Sequence, residues 1–203
     1  MSDTIGYLIA ALGGYFLGSV PFGLVITRAA GLGDIREIGS HSIGATNVLR
    51  TGRKDLAFAT LIADSFKAGI AVLVFTSVFG RNAGLIAGAA AFLGHCYPVW
   101  LGFKGGKGVA TYVGLLAVAS WQGFVVGAPI WLVLFALTRI SSLAALTAAS
   151  AVPMGAWLLG ETEFAVLILA ILSLLVFWTH RANIGRLVRG EEPQFGARKD
   201  TRE

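Results

Sequence analysis

The chain has 203 residues, of which 56% are hydrophobic and 13% are charged, and its mean hydropathy is +0.76. Since an ordinary soluble domain carries about 25% charged residues, this composition argues against a soluble globular protein and excludes a disordered chain. The net charge of +5 would suggest nucleic-acid binding on a soluble protein, but on a membrane protein it reports the placement of basic loops. We therefore predict no nucleic-acid partner.

Seven apolar segments predict membrane-spanning helices, because a span needs about 20 mostly apolar residues. Five of them are long, namely residues 4–26, 56–79, 121–137, 143–159 and 164–178. Residues 83–96 and 109–120 are shorter. We predict an all-α, polytopic membrane protein in which residues 1–203 form a single domain.

The distribution of basic residues selects the number of spans. With 109–120 and 121–137 as separate helices, fourteen of the fifteen Lys and Arg residues outside the spans lie on one face, and Arg81 alone lies on the other. One merged helix would divide the same residues seven against eight, which the positive-inside rule disfavours. The prediction is seven transmembrane helices, with the N-terminus outside and the C-terminus in the cytoplasm. The cytoplasmic loops are the longer and more polar ones, so we expect function there.

The first cytoplasmic loop, residues 34–53, combines glycines with hydroxyl, amide and guanidinium side chains. Glycines let backbone N–H groups point inward, hydroxyls donate hydrogen bonds, and a guanidinium binds two phosphate oxygens at once. The loop is therefore a candidate phosphate site, carried by Ser40, Ser42, Thr46, Asn47 and Arg50. The alternative is a connection whose hydroxyls merely cap helix ends, although a cap requires neither Asn47 nor Arg50.

The second cytoplasmic loop has the sequence FKGGKGVAT, residues 103–111, and leads into a short apolar segment. A glycine-rich turn before a helix offers unpaired N–H groups and the positive end of the helix dipole to an anion. It is not a P-loop, because G-x4-G-K-[ST] is absent. The alternative is a flexible basic turn that only anchors the helix. We favour an anion site formed by Lys104, Gly105, Gly106, Lys107 and Gly108.

His180 and Asn183 lie at the inner end of the last segment and would share one face of a continuing helix. A histidine can accept a proton from a hydroxyl near neutral pH, so the pair is a candidate for handling a hydroxyl substrate. A lone histidine at this depth is otherwise a polar anchor. Ser142, in the third cytoplasmic loop, either adds a hydroxyl to the same site or caps the helix that follows.

Asp64 and Lys67 lie on one face of the second segment, two to three turns inside it. Ionisable groups within a membrane are costly and are usually paired or line a polar cavity. The two residues therefore neutralise each other, form the floor of the polar cavity, or line an ion path, and the sequence leaves these readings open.

Taken in order, these motifs resemble the bacterial acyl-phosphate:glycerol-3-phosphate acyltransferase family (PlsY), and the likeness spans nearly the whole chain. The family commonly has Gly-Asn-Pro after the serine of its first motif, whereas this chain has His41-Ser42-Ile43. The stretches that carry the resemblance are GSVPFG at 18–23, GS and GATNVLR within 39–50, LIADSFKAG at 61–69, GH and FKGGKGVAT within 94–111, and HRANIGRL at 180–187.

The resemblance implies a seven-helix enzyme of the bacterial cytoplasmic (inner) membrane with its active site facing the cytoplasm. It would transfer a fatty acyl chain from acyl phosphate to the 1-hydroxyl of sn-glycerol 3-phosphate, yielding lysophosphatidic acid and inorganic phosphate. This is the first acylation step of phospholipid biosynthesis. The resemblance implies no metal and no cofactor. Its implied partners are the lipid bilayer, the enzyme that forms acyl phosphate and the next acyltransferase.

By this resemblance Ser40 and Arg50 match the family's first motif, and Lys104 and Lys107 lie in its second, glycine-rich motif. His180 and Asn183 match the third motif. We expect His180, Asn183 and Ser40 to be catalytic. We expect substrate phosphate to be bound by Arg50, Lys104, Lys107, Gly105, Gly106, Gly108, Asn47, Thr46 and Ser142.

Other classes of function fit less well. A transporter for a small organic anion, with Asp64 and Lys67 on its path, is opposed by the very short outer loops. An acyl-CoA-dependent acyltransferase with a His-x4-Asp motif is excluded, because none of the three histidines has Asp five positions later. A CDP-alcohol phosphotransferase would need several aspartates on one helix, and Asp64 stands alone in its span.

Overall fold

The computed structural model describes residues 3–196, and every regular element in that range is helical. The all-α prediction is therefore confirmed. Two 3₁₀ turns, Ile35–Glu37 and Val99–Leu101, lie in the loops. The α-helices are α1 (Asp3–Gly18), α2 (Phe22–Ala29), α3 (Ala45–Leu49), α4 (Lys54–Phe79), α5 (Arg81–Cys96), α6 (Val109–Ala119), α7 (Trp121–Thr138), α8 (Ser141–Leu158), α9 (Glu163–Thr179) and α10 (Arg181–Val188).

Five helical stretches of the described chain are long and apolar enough to cross a membrane, namely Asp3–Ala29, Lys54–Phe79, Arg81–Leu101, Trp121–Thr138 and Ser141–Leu158. The pair α9 and α10 makes a sixth candidate and is bent by 62° at its break. Helix α6 is apolar but has only 11 residues. All seven predicted segments are thus largely helical, although the first, residues 4–26, is divided into α1 and α2 by a break at residues 19–21. The count of seven spans and the orientation of the termini stay predictions.

The predicted break between α6 and α7 is present at Ser120. The backbone of Ser120 leaves the helical region, with φ −149° and ψ 86°, and its hydroxyl accepts a hydrogen bond from the N–H of Gly123. This is the geometry of a helix N-cap. The chain therefore begins a new helix at Trp121, as the charge distribution requires.

Small residues set the closest contact between helices. Gly14 and Gly18 of α1 lie against the backbone of Ala87 and Ala91 in α5, where any side chain at either glycine would overlap backbone atoms. Small residues four positions apart let two helix backbones approach closely. The close contact brings α1 and α5 together along their length.

Helix α5 lies at the centre of the bundle, because its other faces pack on α4, α6 and α9. Gly84 and Gly88 face side chains of α4 and α6 and leave room for them. Phe92 is fully buried, and Cys96 is buried beside it as a free thiol. The C-terminal end of this central helix leads into the glycine-rich loop and so fixes where that loop lies.

Candidate active site

A cavity of about 420 Å³ collects polar residues from all the loops predicted to face the cytoplasm. Its walls come from the segment between α2 and α4, the end of the glycine-rich loop, the first turn of α8, and the chain after α9. Ten of the predicted site residues line it, namely Ser40, Ser42, Thr46, Asn47, Arg50, Lys107, Gly108, Ser142, His180 and Asn183.

The first part of the glycine-rich loop lies away from this cavity. Lys104 and Gly105 line a separate, more open cleft. The N–H groups of Gly105 and Gly106 donate hydrogen bonds to the carbonyls of Cys96 and His95, both over 3.0 Å. These two N–H groups, which we expected to bind phosphate, are therefore engaged with the end of α5.

The end of the same loop does reach the cavity. Gly108 adopts the left-handed conformation (φ +85°) against the ring of Phe92 and precedes α6 without a side-chain cap. Val109 and Ala110, the first residues of α6, line the cavity. The uncapped N-terminus of α6 thus directs N–H groups and the positive end of its dipole toward the cavity, which suits an anion.

Asn47 shapes the first loop from within. It is 1% exposed, and its Oδ1 accepts a hydrogen bond from the N–H of Ser40 over 2.9 Å. Its Nδ2 donates to the carbonyls of Ile35 and Ser42, each over 2.8 Å. Both amide protons of Asn47 are therefore used on the backbone, and the residue holds Ser40 in place at the cavity wall.

Arg50 and Ser40 supply the polar side chains of this wall. Gly39, with φ +60°, packs against Arg50 and Asn47, where a Cβ atom would collide with both. In the described part of the chain, Arg50 forms no salt bridge, so its guanidinium is available to an anion in the cavity. Thr46 lies on the same side, with its hydroxyl 3.3 Å from that of Ser141.

A network of hydrogen bonds joins the third motif to the glycine-rich loop. Lys107 Nζ donates to Oδ1 of Asn183 over 2.6 Å, and Nδ2 of Asn183 donates to a carboxylate oxygen of Glu192 over 2.5 Å. The Ser142 hydroxyl donates to the same oxygen over 2.7 Å, while Arg186 donates to the other oxygen over 2.7 Å. Glu192 is therefore the centre of the network.

Ser142 does not cap α8. The N-cap position is Ile140, which offers no side-chain hydrogen bond, and the hydroxyl of Ser142 points to Glu192 instead. The alternative interpretation of Ser142 as a helix cap is wrong.

Glu192 belongs to none of the motifs recognised in the sequence. Burial raises the pKa of Glu192, but hydrogen bonds from Ser142, Asn183 and Arg186 outweigh burial and place its pKa below the ordinary value. It is therefore a carboxylate at neutral pH. The only sequence feature that marks Glu192 is its place beside Glu191 in an otherwise basic C-terminal segment. Glu191 itself forms an exposed ion pair with Arg189.

Lys107 carries a charge that titrates close to physiological pH. Burial lowers the pKa of Lys107 to about 8; Glu192 opposes that shift, and Arg186 and Arg50 add to it. At pH 7 the ammonium form dominates, so Lys107 can attract an anionic oxygen.

His180 occupies the break between α9 and α10 and is 3% exposed. Its Nδ1 lies 2.8 Å from the carbonyl oxygen of Val176, and because a carbonyl only accepts hydrogen bonds, Nδ1 carries the proton. In the neutral ring Nε2 is then an acceptor. His180, at this break, and Asn183, in α10, both line the cavity. Nε2 of His180 can therefore accept a hydrogen bond from a hydroxyl group there.

The inner end of the cavity is formed by a buried ionic cluster. Asp64 and Lys67 lie 2.8 Å apart with side chains 1% and 3% exposed, and both Asp64 and His95 line the cavity. Two of the interpretations that the sequence left open are therefore both correct. Asp64 and Lys67 form an ion pair, and Asp64 is also part of the cavity floor.

An apolar wall completes the cavity. It includes Phe58 of α4 and Trp131 and Phe135 of α7, and Trp131 stacks on Phe135 with ring centroids 4.8 Å apart. Phe195, from the chain after α10, packs edge-on against Phe135 and donates its N–H to the carbonyl of Arg139 over 2.8 Å. The cavity therefore suits a ligand with an anionic end and an apolar end.

Comparison with known proteins identifies close relatives. A family model described as glycerol-3-phosphate acyltransferase matches residues 8–190. A glycerol-3-phosphate acyltransferase from Hyphomonas neptunium is 70% identical over 201 residues, covering 98% of this chain and 97% of the relative. The corresponding protein from Maricaulis maris is 58% identical over 199 residues, covering 98% and 92%.

Two crystal structures of PlsY, an integral membrane glycerol 3-phosphate acyltransferase, share the fold. The glycerol 3-phosphate form is 35% identical with a TM-score of 0.88, covering 94% of this chain and 96% of that one. The lysophosphatidic acid form is 34% identical with a TM-score of 0.86, covering 94% and 95%.

Proposed function

This chain belongs to the glycerol-3-phosphate acyltransferase family, and on that premise we propose that acyl phosphate is its acyl donor. As a member of that family it is a membrane-embedded acyltransferase of phospholipid biosynthesis. The proposed reaction transfers a fatty acyl chain to the 1-hydroxyl of sn-glycerol 3-phosphate and yields lysophosphatidic acid and inorganic phosphate.

One observation carries the proposal: cationic groups and an apolar wall meet in a single cavity. Arg50, Lys107 and the N-terminus of α6 line it, and so do the aromatic side chains of Phe58 and Trp131. Glycerol 3-phosphate and acyl phosphate both carry a phosphate group, and the donor also carries a hydrocarbon chain. The cavity therefore matches the chemistry of both substrates.

The cationic groups act on the phosphates. The Arg50 guanidinium can bind two oxygens of one phosphate, while Lys107 and the N–H groups of α6 attract a second anionic group. Ser40, held by Asn47, contributes a hydroxyl donor at the same wall. Fixing both phosphates places the glycerol hydroxyl next to the acyl carbonyl, and such positioning supplies much of the rate acceleration.

The acyl transfer proceeds by direct attack. The glycerol hydroxyl oxygen forms a bond to the acyl carbon, the bond from that carbon to the phosphate oxygen breaks, and the hydroxyl proton ends on the released phosphate. His180 Nε2 accepts a hydrogen bond from the hydroxyl and orients it, while Asn183 is held by Lys107 and Glu192. Because acyl phosphate is already activated, no covalent acyl-enzyme is needed. Trapping an acyl group on Ser40 would contradict this route.

The proposed setting is the bacterial cytoplasmic membrane. We place seven spans across it, with the N-terminus outside and the cavity open to the cytoplasm, since fourteen basic residues then lie inside. An enzyme that forms acyl phosphate would supply the donor, and a second acyltransferase would consume the product.

The decisive experiment offers three donors in parallel to the purified protein in detergent or vesicles, together with labelled glycerol 3-phosphate. The donors are acyl phosphate, acyl-CoA and acyl carrier protein carrying the same chain. We expect lysophosphatidic acid from acyl phosphate alone. Product formed only from acyl-CoA would overturn the donor assignment, and labelled glycerol 3-phosphate accumulating in vesicles without product would support a transporter.

A further inference from the structure

Three polar groups surround the ammonium of Lys67 in the ionic cluster at the inner end of the cavity. Its Nζ lies 2.8 Å from Oδ1 of Asp64, 2.9 Å from the carbonyl oxygen of Val20, and 2.9 Å from Nδ1 of His95. An ammonium group has three protons and no lone pair, so Lys67 donates to Val20 and to His95. It pairs with Asp64 as an ion pair, and neither Asp64 oxygen accepts a hydrogen bond within residues 3–196. The adjacent buried carboxylate favours the ammonium form, since a buried charge needs a partner of opposite sign.

This arrangement determines which nitrogen of His95 carries hydrogen. Nδ1 accepts a hydrogen bond from Lys67 and so has no proton of its own. Asp64 Oδ1 lies 3.6 Å from Nδ1, too far for a hydrogen bond that would reverse the assignment. In the neutral ring the proton is therefore on Nε2, which becomes a donor.

The donor lies at the glycine-rich loop. The His95 ring contacts Gly106 so closely that a Cβ atom there would overlap Nε2. Lys107 follows immediately in sequence, and both His95 and Lys107 line the cavity. Among residues 3–196, Nε2 of His95 forms no hydrogen bond with the protein.

We propose that His95 is a further substrate-binding residue, whose Nε2–H donates a hydrogen bond to a phosphate oxygen in the cavity. Lys67 and Asp64 are positioning residues that fix its tautomer. The inference rests on the function proposed above and adds to it a donor from the end of α5. An anion is the fitting occupant because His95, Lys107 and the N-terminus of α6 all supply donors, while the charge of Asp64 is balanced by Lys67.

Two substitutions separate the two nitrogens of the ring. His95→Asn keeps an acceptor near the position of Nδ1 for Lys67 but removes the donor at Nε2. His95→Gln places an amide donor near Nε2 but removes the acceptor for Lys67. We expect His95→Asn to raise the KM of the substrate whose phosphate is bound by about 10- to 100-fold, as for a hydrogen bond to a charged group, with little change in Tm.

His95→Gln should show the opposite pattern, with a KM close to wild type and a lower Tm. The KM of glycerol 3-phosphate and of acyl phosphate are measured separately, so that the affected substrate identifies which phosphate is bound. His41→Asn is the matched control, because His41 is exposed, lies outside the cavity, and has a positive φ that Asn tolerates. It should behave as wild type.

Several results would overturn the inference. One is a wild-type KM for both substrates in His95→Asn. Another is an equal fall in Tm and an equal rise in KM in both variants, which would indicate a structural role alone. If wild-type protein makes no lysophosphatidic acid, the proposed function fails instead.

A spectroscopic measurement on the wild-type protein does not depend on any variant folding. Nitrogen-15 NMR of labelled histidine should place the His95 proton on Nε2, and added inorganic phosphate should shift that signal. A proton on Nδ1, or no response to phosphate, would contradict the proposal. In the charge-balanced double variant Asp64→Asn/Lys67→Met, the preference for one tautomer should be lost, and its persistence would remove the positioning role of the pair.

Discussion

Lys107 donates a hydrogen bond over 2.6 Å to Asn183, a residue 76 positions later in the chain. The contact joins the glycine-rich loop to α10 and holds the Asn183 side chain between an ammonium group and the Glu192 carboxylate. Lys107 therefore has two roles: its charge attracts an anion in the cavity, and its hydrogen bond holds Asn183 of the third motif in place.

The protonation of Lys107 predicts a pH dependence of substrate binding. Its pKa is lowered to about 8, so raising the pH from 7 to 9 converts the ammonium to a neutral amine and weakens its hold on phosphate. A phosphate monoester is already doubly ionised above its second pKa of about 6. We expect the KM of the substrate bound by Lys107 to rise by up to about tenfold at pH 9. The measurement is steady-state kinetics with each substrate varied at several pH values.

The matched variant is Lys107→Arg, which keeps its charge throughout this range. Its KM should be nearly independent of pH between 7 and 9, even if its absolute value is higher. A wild-type KM that does not change over the same range would contradict a role for the Lys107 charge in binding.

Glu192 should be needed for activity, whereas its neighbour should not. Glu192→Gln removes the charge that pairs with Arg186 and weakens the hold on Ser142 and Asn183. We expect kcat to fall by about 10- to 100-fold, corresponding to one or two charge-assisted hydrogen bonds, together with a lower Tm. Glu191→Gln changes only an exposed ion pair with Arg189 and should leave both quantities unchanged. Equal effects of the two substitutions would exclude a specific role for Glu192.

The fold could largely be predicted from the sequence, but the details of the site could not. Long apolar segments have few stable structures in a bilayer other than helices, and the basic residues required a break at Ser120. Lys104 and Lys107 look equivalent, because both lie in the same glycine-rich loop. In the structure Lys107 lines the cavity and Lys104 lies in a separate cleft, because Gly105 and Gly106 donate hydrogen bonds to the end of α5. These contacts leave no local pattern in the sequence.

Gly106 should tolerate no side chain, because the Cβ of an alanine would overlap the His95 ring. Gly106→Ala must therefore displace either the ring or the loop that carries Lys107, and we expect activity to fall by about 100-fold or more, the scale of a misplaced catalytic group. Gly185→Ala is the control, since its nearest neighbour would be a flexible Arg189 side-chain atom at 3.5 Å and Ala favours a helix. Wild-type turnover in Gly106→Ala would show that this contact does not position the site.

Arg81 should stabilise the fold without contributing to catalysis. It donates to Glu161 over 2.6 Å and to the carbonyl of Ala119 over 3.1 Å, so it joins the α6–α7 turn to the α8–α9 turn. Because the Glu161 side chain is 1% exposed, Arg81→Met leaves a buried carboxylate without its cation. We expect Tm to fall by several degrees while the KM of each substrate stays unchanged. Arg189→Met, which removes an exposed pair, should leave Tm at the wild-type value, and a change in KM for Arg81→Met would contradict a purely structural role.

His180 and Arg50 should be indispensable for turnover but not for folding. His180→Ala removes the acceptor that orients the glycerol hydroxyl, and Arg50→Ala removes a guanidinium that forms no salt bridge among the described residues. Loss of the orientation of the reacting hydroxyl costs about 100-fold or more, and loss of two hydrogen bonds to a charged phosphate costs about as much, so each variant should lose nearly all activity at subsaturating substrate. We expect His180→Ala to lower kcat and Arg50→Ala to raise KM, because one residue handles the reacting hydroxyl and the other binds phosphate. Membrane insertion and Tm should stay close to wild type, and normal turnover in either variant would remove that residue from the proposed mechanism.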